Sequence, residues 1–309
     1  MRRKRVALTG GAGFIGSHLA EELARRDYYV IILDDLSTGR MENIEELVKK
    51  GKIEFIRGSI TELPLLEKLF QSIDYVFHQA AIPSVPRSID NPLASHEVNI
   101  TGTLNVLLAA RDNGVRKVLY ASSAAVYGDT PTLPKREDMP PNPKSPYAVT
   151  KLAGEYYCRV FQRVYGLATV CLRYFNVYGQ RQDPKSQYAA VIPRFIKRVS
   201  EGNPPIIFGD GEQTRDFTFV RDVVEANILA AESDATGVFN IGRGETFTIN
   251  ELARLITDIT GNNVKPIHGE PRPGDVRHSL ADISKAKTFG YKPRYNLEEG
   301  LRETIGRKV

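Results

Sequence analysis

Three features of the 309-residue sequence predict an α/β fold: a Rossmann-type doubly wound parallel sheet with a smaller C-terminal α/β substrate-binding domain. The chain opens as strand, glycine turn and helix. Strand-like and helix-like stretches then alternate through the first half, which is the pattern of a parallel sheet covered on both faces. The length exceeds what one core usually fills, so a second lobe is expected. The boundaries read as 1–178 for the sheet domain, with 217–242 packing back on it, and 179–309 for the other.

Taken in order, Arg5 to Thr9 is a short strand entering Gly10-Gly11-Ala12-Gly13-Phe14-Ile15-Gly16. Apolar residues from Phe14 to Ala24 then share one helical face. Gly10, Gly13 and Gly16 would serve the tight turn, the backbone approach to a pyrophosphate and close helix packing, while Phe14 and Ile15 open a helix whose N-terminus faces the phosphates. A second strand, Tyr29 to Leu33, ends at Asp34, with Asp35 beside it, where a carboxylate can take ribose hydroxyls. That carboxylate would repel a 2′-phosphate and favours NAD over NADP; Arg40 nearby pulls the other way.

Further strands read at Ile53 to Ile56, Tyr75 to His78 and Lys117 to Ala121, with helical stretches at Leu65 to Gln71 and Leu93 to Asn113. Ser59 and Ile60 follow the third strand. Gln79, Ala80, Ala81, Ser84 and Arg87 follow the fourth, and Ser122 and Ser123 end the fifth. All leave the carboxyl ends of strands, where open α/β sheets bind ligands. Small Ala80 and Ala81 would let a cofactor lie against backbone; tight strand packing would ask for the same residues.

Pro146 opens a helical stretch that runs to Tyr165, so Tyr147 lies in its first turn. Residues i and i+4 share a helix face, and Lys151 stands beside Tyr147, where an ammonium would favour the phenolate. A bare Tyr-x-x-x-Lys also arises as a buried tyrosine next to a surface lysine. The topology decides for chemistry, because it brings serine, tyrosine and lysine to one end of a dinucleotide.

Composition excludes other classes. Hydrophobic residues make up 41% and charged residues 26%, with no window near the ~18 apolar residues of a membrane span. The start, Met1 to Arg5, runs into the first strand too soon for a signal peptide, so a cytoplasmic enzyme is expected. A net charge of +5 without long basic runs suits anionic small molecules better than nucleic acid. Cys158 and Cys171 read as reduced structural thiols, and the five histidines form no ligand-spaced set, so no metal is assigned.

In the second half, Gln187 to Ser200 reads as a helix containing Val191, and Ile206 to Phe208 as a short strand. Asp222 to Ala231, Asn250 to Thr260 and Leu297 to Thr304 read as packing helices. Arg215 and Arg272 lie far apart in sequence, and arginine forks match phosphate oxygens. Each alone also fits a surface or structural role.

The glycine motif, Asp34, Asn99, Ser123 and Tyr147-x-x-x-Lys151 together resemble the extended short-chain dehydrogenase/reductases, specifically the nucleotide-sugar 4-epimerases of the UDP-galactose type, from Val6 to about Tyr295. The resemblance implies bound NAD, a homodimer joined by helices near Asn99 to Asp112 and Ala153 to Tyr165, and a UDP-sugar substrate. It places Asn99 and Tyr174 at the cofactor, and Val191 at the substrate. Asn176, Arg215 and Arg272 fall at the diphosphate, Asp275 at a ribose, and Phe208 beside uracil, where core packing is the rival reading. Tyr147 would take the C4 hydroxyl proton, Ser123 would relay it, and Lys151 would hold the nicotinamide ribose and lower the tyrosine's pKa, through a transient 4-keto sugar.

Dehydratases and decarboxylases of this family carry acids at the positions of Ala124 and Ala125, which leaves epimerisation. Ser279 aligns with a position near the sugar C2 substituent, where a tyrosine restricts relatives to plain hexoses. A small residue makes room for an N-acetyl group, so UDP-GlcNAc/UDP-GalNAc is the expected pair, with UDP-Glc/UDP-Gal as a further one. UDP-glucuronate is the alternative, its carboxylate met by Arg87 or Arg181; an NAD-bound regulator without turnover is another. Ser59 departs from an aspartate frequent at the adenine, Pro83 from a lysine of the plain-hexose enzymes, and Ala124 from a hydroxyl in some N-acetyl-specific relatives.

Overall fold

The computed structural model describes residues 3–183, 190–271 and 276–306. In chain order, β1 (Arg5–Thr9) leads through the glycine turn to α1 (Phe14–Arg25), β2 (Tyr29–Asp34), α2 (Glu45–Lys49), β3 (Ile53–Arg57), α3 (Leu63–Leu69) and β4 (Tyr75–His78). Then follow α4 (Val85–Asp90), α5 (Pro92–His96), α6 (Gly102–Asp112), β5 (Lys117–Ser123), α7 (Pro146–Tyr165) and β6 (Ala168–Tyr174). The chain continues through β7 (Val177–Tyr178), α8 (Val191–Ser200), β8 (Ile206–Phe208), β9 (Thr214–Arg215), β10 (Thr218–Phe219) and α9 (Val220–Glu232). It ends with β11 (Gly237–Ile241), β12 (Phe247–Thr248), α10 (Ile249–Thr260), β13 (Ile267–Gly269), α11 (Ser284–Lys287) and α12 (Leu297–Ile305).

Seven strands form one parallel sheet in the order β11-β6-β5-β4-β1-β2-β3. Both faces of its central strands are buried, as helices on two sides require. One core gathers Leu19 and Leu23 of α1 and Val223 and Ile228 of α9 against the sheet; the opposite core gathers Leu66 of α3, Val106 of α6 and Phe161 of α7. A third cluster joins Phe195 of α8, Ile207 of β8, Ile256 of α10 and Leu301 of α12. The helix expected from Gln187 begins at Val191 among the described residues.

The strand order reverses between β1 and β4, so the carboxyl ends of these two strands open a crevice. Gly10 sits there with φ of +73°, and a Cβ on it would lie 2.6 Å from the Ala80 amide nitrogen. A Cβ on Gly16 would lie 2.1 Å from the Gly10 carbonyl oxygen. The turn is therefore closed by backbone against backbone, which only glycine allows. Ala80 thus serves the tight packing of the strand ends and also faces the crevice.

One expected helix is interrupted. Between α5 and α6 the chain makes a π-helical turn, Glu97–Thr101, which carries Asn99 inward. Its Oδ1 accepts from the Ile82 amide at 2.8 Å, and its Nδ2 donates to the Ile82 carbonyl at 3.2 Å and to Thr150 Oγ1 at 3.0 Å. A buried amide with its polar atoms partnered is worth the irregular turn.

Replacing Gly16 with alanine should lower unfolding stability by about 1–3 kcal/mol, since the added methyl meets a fixed carbonyl. Urea titration of the two chains checks this, and an unchanged midpoint would contradict the close approach.

Candidate active site

A cavity of about 1140 Å³ runs along the carboxyl ends of the strands. Its floor is Gly10, Gly13, Phe14, Ile15 and Gly16 from the turn into α1. Asp34 and Asp35 end β2, Ser59 and Ile60 follow β3, and Gln79, Ala80 and Ala81 follow β4 on the same wall. Ser84 and Arg87 line it from α4, Ser122 and Tyr174 from strand ends, and Tyr147 and Lys151 from α7. These residues fit a dinucleotide: glycines leave room for a pyrophosphate beside a helix N-terminus, and a carboxylate stands at the end of β2. Burial raises the Asp34 carboxyl, against which the amides of Leu36 and Ala12 act by donating to it, both at 2.9 Å.

Helix α7, which carries Tyr147 and Lys151, is held at its start from two sides. Ser145 caps α7, its Oγ accepting from the Ala148 amide at 3.2 Å, and Pro146 follows at N1. The Tyr147 amide donates to Ser88 Oγ of α4 at 3.0 Å. Two donors that a helix N-terminus leaves unpaired are thereby satisfied by side chains. Thr150 Oγ1 donates to the Tyr147 carbonyl at 2.8 Å and accepts from Asn99, so the π turn supports the same helical turn from behind.

The chemistry at Tyr147 differs from the expectation. Burial raises its phenol above the ordinary value, and the opposing pull comes from a hydrogen bond with Ser123 rather than from Lys151. The Lys151 Nζ donates to the Ala121 carbonyl at 2.8 Å and lies 5.9 Å from the centroid of the Tyr147 ring. Its side chain is turned to the end of β5, so it is a buried cation beside the phenol without bonding it. Burial brings this ammonium down to about 8.

Several pairings around the site, and the residues Glu155, Arg173 and Asn227 themselves, have no signature in the sequence. Glu155, one helical turn beyond Lys151 on the same face, accepts from Ser122 Oγ at 2.5 Å and from Arg173 Nε and Nη2 at 2.8 and 2.7 Å. Tyr174 shares hydrogen bonds with Gln79 and Asn227. His78 bridges Thr9 and Thr103. Because Thr103 Oγ1 donates to the Asn99 carbonyl at 2.7 Å, it accepts from His78 Nε2, which leaves Nδ1 to accept from Thr9. Burial takes this imidazole down to about 3, so it stays neutral. On the cavity wall, Arg40 pairs with Asp183 at 2.7 Å and Arg181 with Glu21 at 2.6 Å.

The remaining predicted residues stand elsewhere. Asn99 lies behind the wall, bracing the loop after β4. Asn176 donates to the Asp216 carbonyl at 3.1 Å; Val191 opens α8; and Phe208 ends β8 with the Arg194 guanidinium 5.5 Å from its ring centroid. Arg215 turns to the carbonyls of Thr214 and Arg277, and the Ser279 amide donates to the Thr214 carbonyl at 3.2 Å. None of these five lines the cavity along the strand ends. Arg272 and Asp275 lie outside the described residues. No helix among the described residues is long and apolar enough to cross a membrane.

The profile of the NAD dependent epimerase/dehydratase family matches residues 6–242. The UDP-glucose 4-epimerase of Mycolicibacterium smegmatis is 41% identical over 305 residues, 97% of each chain. A solved structure of UDP-N-acetylglucosamine 4-epimerase from Methanobrevibacter ruminantium, in complex with UDP-N-acetylmuramic acid, is 45% identical, with a TM-score of 0.96 over 99% of this chain and 98% of that one. The UDP-glucuronic acid 4-epimerase of Bacillus cereus, in complex with UDP-glucuronic acid and NAD, is 36% identical, with a TM-score of 0.90 over 98% of each chain.

The folded chain holds the Lys151 proton less tightly than the unfolded chain, whose lysine titrates at its ordinary 10.5. Lys151 therefore costs stability at neutral pH, and the cost shrinks as pH climbs from about 8 towards 10.5. In cofactor-free protein, Lys151→Met should raise the thermal midpoint at pH 7, and its advantage over wild type should narrow by pH 10. Scanning calorimetry at both pH values checks this; an advantage of equal size at both would contradict the buried ammonium.

Proposed function

The chain belongs to the NAD dependent epimerase/dehydratase family, and from that premise we propose that it interconverts UDP-GlcNAc and UDP-GalNAc at C4, with UDP-Glc and UDP-Gal as a further pair. The choice of sugar rests on the small residue at Ser279, which the family resemblance puts near the sugar C2 substituent and whose backbone is held to Thr214 of β9. The likeness to a UDP-N-acetylglucosamine 4-epimerase supports it.

NAD, when bound, supplies the means of taking a hydrogen with its electron pair from the sugar C4 and of giving it back. The chain's own residues handle the proton. Tyr147, hydrogen-bonded to Ser123, accepts the proton of the C4 hydroxyl, and the Ser123 hydroxyl relays it and keeps the sugar oxygen aligned. Lys151 gives one N–H to Ala121, which leaves two that would hold a ribose of the dinucleotide. Its charge favours the phenolate of Tyr147, the form that can take the proton, and the phenolate is neutralised as the sugar proton arrives. Ala124 and Ala125 provide no acid for elimination or decarboxylation, so the oxidised sugar is left to turn and be reduced on its other face.

A second reading is favoured by Arg87, an exposed cation on the wall of the cavity. It could receive the carboxylate of UDP-glucuronate. Arg181, the other candidate, is already held by Glu21.

We further infer a homodimer. Helix α7 turns Val149, Tyr156, Val160 and Val164 to solvent, and Leu93 of α5 beside it is 81% exposed. A contiguous apolar stripe of this kind is what a second copy would cover. The chain should scatter light as a dimer at micromolar concentration, and a Val160→Asp, Val164→Asp variant as a monomer; a monomeric wild type would end this reading.

Ser279→Tyr should abolish turnover of UDP-GlcNAc while sparing UDP-Gal, followed by proton NMR of the C4 configuration. Equal loss of both would count against the open pocket. Tyr147→Phe should lower kcat on either sugar by at least about a hundredfold, with NAD still bound.

A further inference from the structure

The wall beside the adenosine end of the cavity holds arginines and yet is built against an extra phosphate. Arg40 is fixed close to Asp34. Its amide donates to the Ala12 carbonyl at 3.0 Å, Asp34 accepts from the Ala12 amide, and a Cβ on the intervening Gly39 would lie 2.8 Å from Asp34 Oδ1. A guanidinium at this place, one loop beyond the ribose carboxylate, is the group that would clamp a 2′-phosphate, since arginine forks match phosphate oxygens. It is not aimed at such a ligand. Its Nη2 donates to Asp183 Oδ2 at 2.7 Å, across the cavity, from the segment that follows β7. The second arginine of this wall, Arg181, is likewise held by Glu21 of α1 at 2.6 Å.

We propose that Asp183 is a cofactor-specificity residue: by holding Arg40 it withholds the phosphate clamp and sets the preference for NAD over NADP. The selection then has two parts. Asp34 repels a 2′-phosphate directly, and Asp183 engages the arginine nearest Asp34 along the chain, which could otherwise offset that repulsion. The pair also joins the two walls of the cavity over its adenosine end. The inference rests on the dinucleotide site and is independent of which sugar is turned over.

The test is calorimetric titration of the full chain, stripped of dinucleotide, with NAD⁺ and with NADP⁺. Asp183→Asn keeps the shape of the side chain and removes its charge. The ratio of the dissociation constant for NADP⁺ to that for NAD⁺ should fall about tenfold, because the released guanidinium gains a charge-assisted phosphate contact. Adding Arg40→Gln to Asp183→Asn should restore the wild-type ratio. An unchanged ratio in Asp183→Asn would overturn the proposal, and so would a fall that persists in the double variant, since the gain would then not pass through Arg40. Far-ultraviolet circular dichroism and the NAD⁺ titration itself report that each variant is folded.

Discussion

The bidentate ion pair between Glu155 and Arg173 fixes where α7 sits on the sheet, and the site depends on that seat. Their side chains are only 3% and 5% exposed. Glu155 reaches the end of β5 through Ser122, and Arg173 anchors it to β6. The guanidinium also lies 4.6 Å from the centroid of the Tyr127 ring, whose hydroxyl donates to Asn240 of β11 at 2.7 Å. Four elements are thus tied by one carboxylate and one guanidinium. Burying such a pair is near neutral for stability, whereas removing one partner strands a charge at a cost of about 3–5 kcal/mol. What the pair secures is register: Tyr147, Lys151 and Glu155 follow at intervals of four on one helix face, so fixing the last places the first two against Ser123 and the crevice.

That placement has a cost elsewhere. A lysine is buried where its ammonium is held below its ordinary pKa, and a tyrosine is buried where its phenol is raised. Both shifts oppose the charged forms, so at neutral pH the ligand-free site holds a protonated phenol beside an ammonium whose burial costs stability. Functional sites concentrate such groups, and the surrounding structure has to over-determine them. The caps from Ser145 and Ser88, the brace from Asn99 and the chain from Thr9 through His78 and Thr103 perform that task.

The parallel sheet was legible because its signals are local. A glycine turn between strand and helix, an acid at the end of β2 and a proline before Tyr147 each act on their own neighbours in sequence. The cavity lining follows from topology, since strands of one direction bring their carboxyl ends to one edge. What was not legible depends on partners far apart in the chain. Glu155 and Arg173 are 18 residues apart, Gln79 and Asn227 are 148, and Arg40 and Asp183 are 143. Neither periodicity nor propensity registers such pairs. The π turn at Asn99 escaped for the same reason, because its cause is the backbone of Ile82 and the hydroxyl of Thr150. Spacing alone leaves the direction of the Lys151 ammonium open: i and i+4 place two side chains on one face, but the carbonyl of Ala121 decides where the ammonium points.

The central claim is that the site removes the hydrogen at sugar C4 and returns it to the same carbon, with Tyr147 and Ser123 handling only the hydroxyl proton. It is tested most directly with UDP-GlcNAc deuterated at C4, turned over in ordinary water with no added cofactor and followed by NMR. The account predicts that the UDP-GalNAc formed keeps its deuterium at C4. Loss of that label to solvent would contradict the mechanism, and absence of turnover with NAD bound would contradict the choice of substrate.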